Sequence, residues 1–178
     1  GGPAAETWTE ESEDGNFTGY LVMDSEYFYI AMDVVDDQPT YGTQAWEGDG
    51  FDIFIGLYDL KETDPLHGDG TIYSDDYADY RLSFAPNAAS GEQFQKSGSQ
   101  PWDVDGMEMS ISRRDNGYTV EAKIPFASIR PENVAIFQPE EGMMLPLKID
   151  VNDNDGEDDP VYAGSNRTLT LHWGGVDN

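Results

Sequence analysis

Residues 26–37, EYFYIAMDVVDD, decide how the chain folds. Their apolar side chains recur at every second position: Phe28, Ile30, Met32 and Val34 fall in one phase, and Tyr27, Tyr29, Ala31 and Asp33 in the other. Period two is the signature of a strand with one face buried, and the acids at the end mark a turn. A one-residue slip would move all four apolar side chains into water, at roughly 1.5–3 kcal/mol each, so the register is strongly specified.

The same alternation recurs along the chain. GFDIFIGL (50–57) sends Phe51, Ile53, Ile55 and Leu57 one way and Asp52, Phe54 and Gly56 the other. DYRLSFA (79–85) turns Tyr80, Leu82 and Phe84 inward and Asp79, Arg81 and Ser83 outward. MEMSIS (107–112), GYTVEAKIPF (117–126), LPLKIDVND (145–153) and TLTLHW (168–173) complete the series, with Trp173 in the apolar phase of Leu169 and Leu171. RRDNG (113–117) carries the Asn-Gly signal of a tight hairpin, so the sheets are expected to be mostly antiparallel. IPFASIRPEN reads as a strand end followed by one short helical turn near 126–131, bounded by Pro131. Residues 58–77, rich in Gly, Asp and Tyr, are expected to form a surface loop. Eight or more strands with little helix predict an all-β, jelly-roll-like antiparallel sandwich, formed by residues 1–178 as a single domain.

Composition narrows the partners. Thirty-six acids against nine bases give a net charge of −27. Such a chain repels polyanions within a Debye length of about 8 Å, which argues against nucleic acid and anionic membrane surfaces. Salt-tolerant solubility, divalent cations or a neutral ligand remain as reasons for the acidity. The chain has no Cys, so disulfides and Cys-based sites are excluded. No apolar run approaches the ~20 residues of a membrane span, and no secretory signal pattern is present. The sequons NFT (16–18) and NRT (166–168) are compatible with glycosylation.

Read in order, SEYFYIAMDVVDD, WEGDGFDIFIG, DYRLSFA, GYTVEAKIPFASI and LPLKIDVNDND resemble the motif series of the family 9 carbohydrate-binding modules, over about residues 17 to 173. The resemblance implies a β-sandwich that binds sugars, often at a chain end, with bound calcium. It implies that Trp46 stacks on the sugar while Asp52, Arg81 and Asp150 hydrogen-bond to hydroxyls, with Ser83 at a further polar position. Asp150 stands where the family carries an amide. The family's opening motif is missing, as is the second tryptophan beyond the position of Trp173, so the family's first and last strands are expected to be absent or supplied by another segment.

The alternation supports a site independently of the family. Asp52, Arg81, Ser83, Lys148, Asp150 and Asn152 all fall on the polar phase of their strands. If those strands share one sheet, its outer face is a polar floor on which an Arg between two carboxylates reads hydroxyls and an aromatic ring covers a C–H face. The alternative is a solvated Asp52–Arg81 pair worth at most ~1 kcal/mol. Trp46 either faces that ligand or folds over the sandwich edge, and Trp102 either completes a clamp or packs at an edge.

NDNDGEDD (152–159) gathers oxygen ligands around a Gly, as calcium loops do, making Asp153, Asp155, Glu157 and Asp158 candidate ligands. Asp36 and Asp37, or the acids of residues 59–76, would serve equally well. His67 and His172 stand alone, and zinc is not expected. No Ser-His-Asp arrangement or phosphate-cradling Gly loop stands out, and with so many acids a carboxylate pair says little, so the chain is expected to be non-catalytic. Two other readings stand beside an extracellular or cell-surface sugar-binding module. One is a structural domain of an extracellular layer or filament, self-associating through open sheet edges. The other comes from a wider resemblance, to similar sandwiches that bind haem through a Met and a Lys, with Lys148 and the six methionines as candidates.

Overall fold

A computed structural model describes residues 5–11, 15–42, 48–59, 61, 80–86, 93–97, 105–129, 135–154 and 169–174. Ten strands are found among them: β1 (Ala5–Glu11), β2 (Gly15–Met23), β3 (Tyr27–Asp36), β4 (Gly50–Ile55), β5 (Tyr80–Ala85), β6 (Gln93–Ser97), β7 (Glu108–Arg114), β8 (Gly117–Pro125), β9 (Leu147–Asp153) and β10 (Leu169–Gly174). They form two five-stranded sheets of order β1-β2-β3-β8-β7 and β10-β9-β4-β5-β6. Every pairing is antiparallel. The fold is the expected β-sandwich.

Period-two alternation builds the core. Strand β3 alternates half-buried and buried along its whole length. Its inward residues Phe28, Ile30, Met32 and Val34 join Phe17, Leu21, Tyr118, Val120 and Ile124 of the first sheet and Phe51, Ile53, Leu82, Phe84, Ile149 and Val151 of the second in one cluster. Phe51 and Phe84 stack with ring centroids 4.7 Å apart, tying β4 to β5 on the inner face. A 3-10 helix, Phe126–Ser128, follows β8, and the Phe126 amide donates to the Glu26 carbonyl at 3.0 Å. The buried rings and chains of Phe126 and Ile129 close that end of the core.

The β7–β8 hairpin turns on Asp115 and Asn116, with Arg114 paired to Gly117. Gly117 has φ +123°, and a Cβ there would lie 2.1 Å from the Val34 carbonyl oxygen of the adjacent strand. Only glycine meets both constraints.

Three strands were not legible from alternation. β2 mixes its phases, with Gly19 turned inward between Phe17 and Leu21 while Tyr20 and Val22 face outward. β1 and β6 carry few apolar residues in their sequences, AETWTEE and QFQKS, and are defined by their pairing to β2 and β5. Most of the expected 58–77 loop, and the side chain of Trp173, lie outside the described residues. No helix among the described residues is long and apolar enough to cross a membrane.

Candidate functional site

Strand β4 is buried on both faces, which period two alone does not require. Its inward phase meets the core, and its outward phase is covered by side chains from β5 and β9. Register fixes the arrangement: Asp52 stands between Ser83 and Asp150, Phe54 between Arg81 and Lys148, and Gly50 opposite Asn152. The polar phases of three separated segments thus form one floor on the outer face of the second sheet.

Asp52 is its centre, with 4% exposure. A carboxylate that deep is stable only when its oxygens are well supplied with donors. The Arg81 Nη2 donates at 2.7 Å, the Ser83 Oγ at 2.5 Å and the Asn152 Nδ2 at 3.5 Å. The solvated surface pair is therefore set aside in favour of a buried, multiply bonded one. Beside it, Phe54 is 3% exposed although it points away from the core. The Arg81 Cζ lies 5.5 Å from its ring centroid and the Lys148 Nζ 5.2 Å, so two cations cover its face and their aliphatic stems shield it from water.

Lys148 pairs in turn with Asp150, Nζ to Oδ2, at 3.2 Å. The expected Arg between two carboxylates is corrected here: Arg81 pairs with Asp52, and Asp150 pairs with Lys148. The reason is register, because Asp150 sits on the far side of β4 from Arg81. The Arg81 Nε is buried and meets no acceptor among the described residues, although the side chain as a whole is 26% exposed. The result is a plane of donors and acceptors around a guanidinium anchored by Asp52.

Four expected ligand-binding residues, Asp52, Arg81, Ser83 and Asp150, are thus brought together, with Lys148 and Asn152. Trp46 and Trp102 lie outside the described residues. Phe54 was placed on the outward phase by the sequence but given no part; the signal lies in strand pairing, which sets it between two cations. Met32 is in the core at 1% exposure, so it is not available as a haem ligand.

A second cluster lies at one end of the sandwich. Asp36 closes β3, Asp49 precedes β4 and Asp153 closes β9; all three are buried, and each offers a ligand oxygen within 4.8 Å of the others. The Asn154 amide donates to Asp49 Oδ1 at 2.9 Å, the Thr40 amide to Asp49 Oδ2, and the Gln38 amide to Asp36 Oδ1 at 2.7 Å. Gly48 lets the chain turn here, since a Cβ would lie 2.3 Å from the Gly42 nitrogen. Burial, and then the Asp36 charge beside it, push the Asp49 carboxyl up to about 9. Tyr118, wholly buried, is held well above its usual range by burial and then by Asp49 and Asp36.

Three converging, buried carboxylates, one of them with its carboxyl raised by burial, form a donor set suited to a hard divalent cation. Asp36 and Asp153, read from the sequence as parts of two separate clusters, belong to one. Asp49 was missed, because only the pairing of β4 with β9 brings residues 49 and 153 together. Asp37 is exposed and outside the cluster, and Asp155, Glu157 and Asp158 lie outside the described residues.

A β-sandwich with a polar floor on one outer sheet face is an architecture able to hold a ligand. The model of the carbohydrate family 9 binding domain-like family matches residues 3–174, and the chain belongs to that family. As a member of a family of binding modules, it is a non-catalytic sugar-binding domain. Among curated proteins it is 25% identical over 150 residues to an endo-1,4-beta-xylanase A of Thermoanaerobacterium saccharolyticum, and 25% identical over 150 residues to the exoglucanase XynX of Acetivibrio thermocellus. Each match takes in 84% of this chain but only 11% and 12% of the relatives, so the chain spans about a tenth of their length. Among solved structures, a family 9 module of Caldicellulosiruptor kristjanssonii in complex with cellotriose aligns with TM-score 0.57 at 14% identity, covering 96% of this chain and 71% of that one. The same organism's module in complex with glucose aligns with TM-score 0.55 at 17% identity, covering 94% and 73%. At those identities the likeness is one of fold.

Proposed function

We propose that the floor built on Asp52, Arg81, Ser83, Lys148, Asp150 and Asn152 is the sugar site, and that it takes a neutral pyranose. The observation that carries this reading is the part-exposed Arg81 side chain anchored on the buried Asp52 carboxylate. A sugar hydroxyl can accept from an N–H of that guanidinium and donate to a carboxylate oxygen of the floor, and donors fixed beforehand lose little entropy on binding. The two acids and two bases among these six side chains leave the floor formally neutral within a strongly acidic chain, which favours an uncharged ligand. Trp46 precedes β4 in sequence, and in this reading its indole stacks on the sugar's C–H face, with Trp102 as a second aromatic wall.

Hydroxyls are well solvated before binding, so the affinity is modest, micromolar or weaker. The module works outside the cell, on polysaccharides of the class that the xylanase and exoglucanase relatives are named for. Such polymers are too large to enter a cell.

Calcium is the cation proposed for Asp36, Asp49 and Asp153. Its oxygen preference suits the three carboxylates, and its charge would offset the burial, and then the Asp36 repulsion, that raise the Asp49 carboxyl. It would pin the end of β3 in one sheet to β4 and β9 in the other.

Calorimetric titration with cellotriose and xylotriose tests the sugar site. Trp46→Ala and Arg81→Ala should each weaken binding tenfold or more, which is about 1.4 kcal/mol. Unaltered affinity in both variants would rule the site out.

A further inference from the structure

We propose that the outer face of the first sheet holds a second, independent saccharide site, so that the module engages two sugar chains from opposite sides. This inference rests on the sugar-binding reading for the class of its ligand, but it uses none of the same residues. The face carries a recess of about 490 Å³ between β2, β3, β8 and β7. Register explains it: one row runs Tyr20, Ala31, Glu121, Ser110 and the next Val22, Tyr29, Lys123, Glu108. Ala31 is a small side chain in the middle of the face, flanked by Tyr20, Tyr29 and Glu121 in a shallow, open depression.

The residues lining it have the chemistry of pyranose recognition. Tyr20 is 46% exposed. Tyr29 is held in place: its hydroxyl donates to Asp24 Oδ2 at 2.8 Å, while Asp24 Oδ1 accepts from the Glu26 and Tyr27 amides at 2.7 and 2.8 Å. A ring locked in that way is a ready stacking platform. The Lys123 ammonium lies 4.2 Å from the Tyr27 ring centroid and 3.5 Å from a Glu108 carboxylate oxygen, so donor and acceptor stand side by side at the rim. Glu121 adds acceptors on the adjoining row.

Charge selects among occupants. A polyanion is repelled by the net charge of −27 and by Glu108 and Glu121, and a second copy brings the same −27 with it. The ionic rim is a poor match for an apolar peptide. A neutral saccharide is indifferent to the field and can use both the rings and the rim. Because the two sites lie on opposite outer faces of a sandwich whose sheets pack about 10 Å apart, one short oligosaccharide cannot fill both. On an insoluble polysaccharide the two would act together, and avidity would exceed either affinity.

The test is a two-dimensional NMR titration with cellotriose and xylotriose on the wild type, Arg81→Ala, Tyr20→Ala and the double variant, with sedimentation velocity run alongside. Two sets of saturable shifts are expected in the wild type, one on β4, β5 and β9 and one on β2, β3 and β8. Arg81→Ala should keep the second set, and Tyr20→Ala should weaken it at least tenfold while leaving the first set unchanged. Tyr29→Phe, which removes a hydroxyl and no ring, should weaken the second set several-fold in a chain that keeps its fold.

No saturable shifts on β2, β3 and β8 in the wild type would overturn the inference and leave the first site standing. Shifts confined to β2, β3 and β8 and lost in Tyr20→Ala would instead support it while removing the first site. A wild-type dimer that Tyr20→Ala dissociates would show a second copy to be the occupant and would also overturn it.

Discussion

At the scale of single residues, burial decides what each charged group does. Asp52 lies within β4 and Asp49 just before it, and both are almost wholly buried. Asp52 has an Arg, a Ser and an Asn to satisfy it, whereas Asp49 has two backbone amides and a neighbouring carboxylate. Asp52→Ala should therefore cost stability of about 1–3 kcal/mol, measured by urea unfolding, because the part-buried Arg81 guanidinium loses its counter-ion. Asp49 predicts a pH dependence of unusual sign. Its folded pKa is raised above the unfolded value of 3.8, so the stability it contributes is complete at pH below that value and is lost as pH rises toward about 9. In chelator, the melting temperature should fall as pH increases across that window, and added calcium should restore it most at the alkaline end. Asp49→Asn carries no charge to bury: it should flatten the pH profile and abolish the calcium response. A steep profile that survives the substitution would show that another group is responsible.

At the scale of elements, the strands that alternate cleanly were legible and the others were not. Phe28 to Val34, Phe51 to Leu57 and Tyr80 to Phe84 each announce their faces because one phase is apolar and the other contains at least one acid, Arg or Ser. The same pattern assigned Asp52, Arg81, Ser83, Lys148, Asp150 and Asn152 to outward phases before any pairing was known. What a single strand cannot state is its neighbour. The separate Arg81–Asp52 and Lys148–Asp150 pairs, the enclosure of Phe54 and the meeting of Asp49 with Asp153 all depend on β4 lying between β5 and β9, contacts separated by tens of residues in sequence. Strand β2 escaped notice because glycine holds one of its inward positions. Local turn chemistry was more explicit, since RRDNG announces the β7–β8 hairpin. Gly117→Ala should destabilise the chain by about 2 kcal/mol or more in urea unfolding, through both its φ of +123° and the approach to Val34. A cost within experimental error would mean the hairpin relaxes without penalty.

At the scale of the whole molecule, the sandwich separates stability from recognition. One core between the sheets supports the fold, one sheet face carries the polar floor, and the carboxylate cluster lies at one end where residues of both sheets meet. The large negative charge has no counterpart on a neutral sugar, so affinity for cellotriose should be nearly independent of salt between about 10 mM and 1 M, although the Debye length falls from about 30 to 3 Å over that range. The same charge opposes self-association, and the edge strand β7 carries exposed Glu108, Arg113 and Arg114, which disfavour pairing with another chain. Light scattering should find a monomer at low salt, and open-ended oligomers there would favour the assembly reading instead. The central claim is that Arg81, anchored by Asp52, presents its guanidinium to a sugar. The most direct measurement follows the Arg81 guanidinium N–H resonances during a cellotriose titration. The account predicts saturable shifts and slowed exchange of those protons with water; resonances that stay in place while cellotriose binds elsewhere would contradict it.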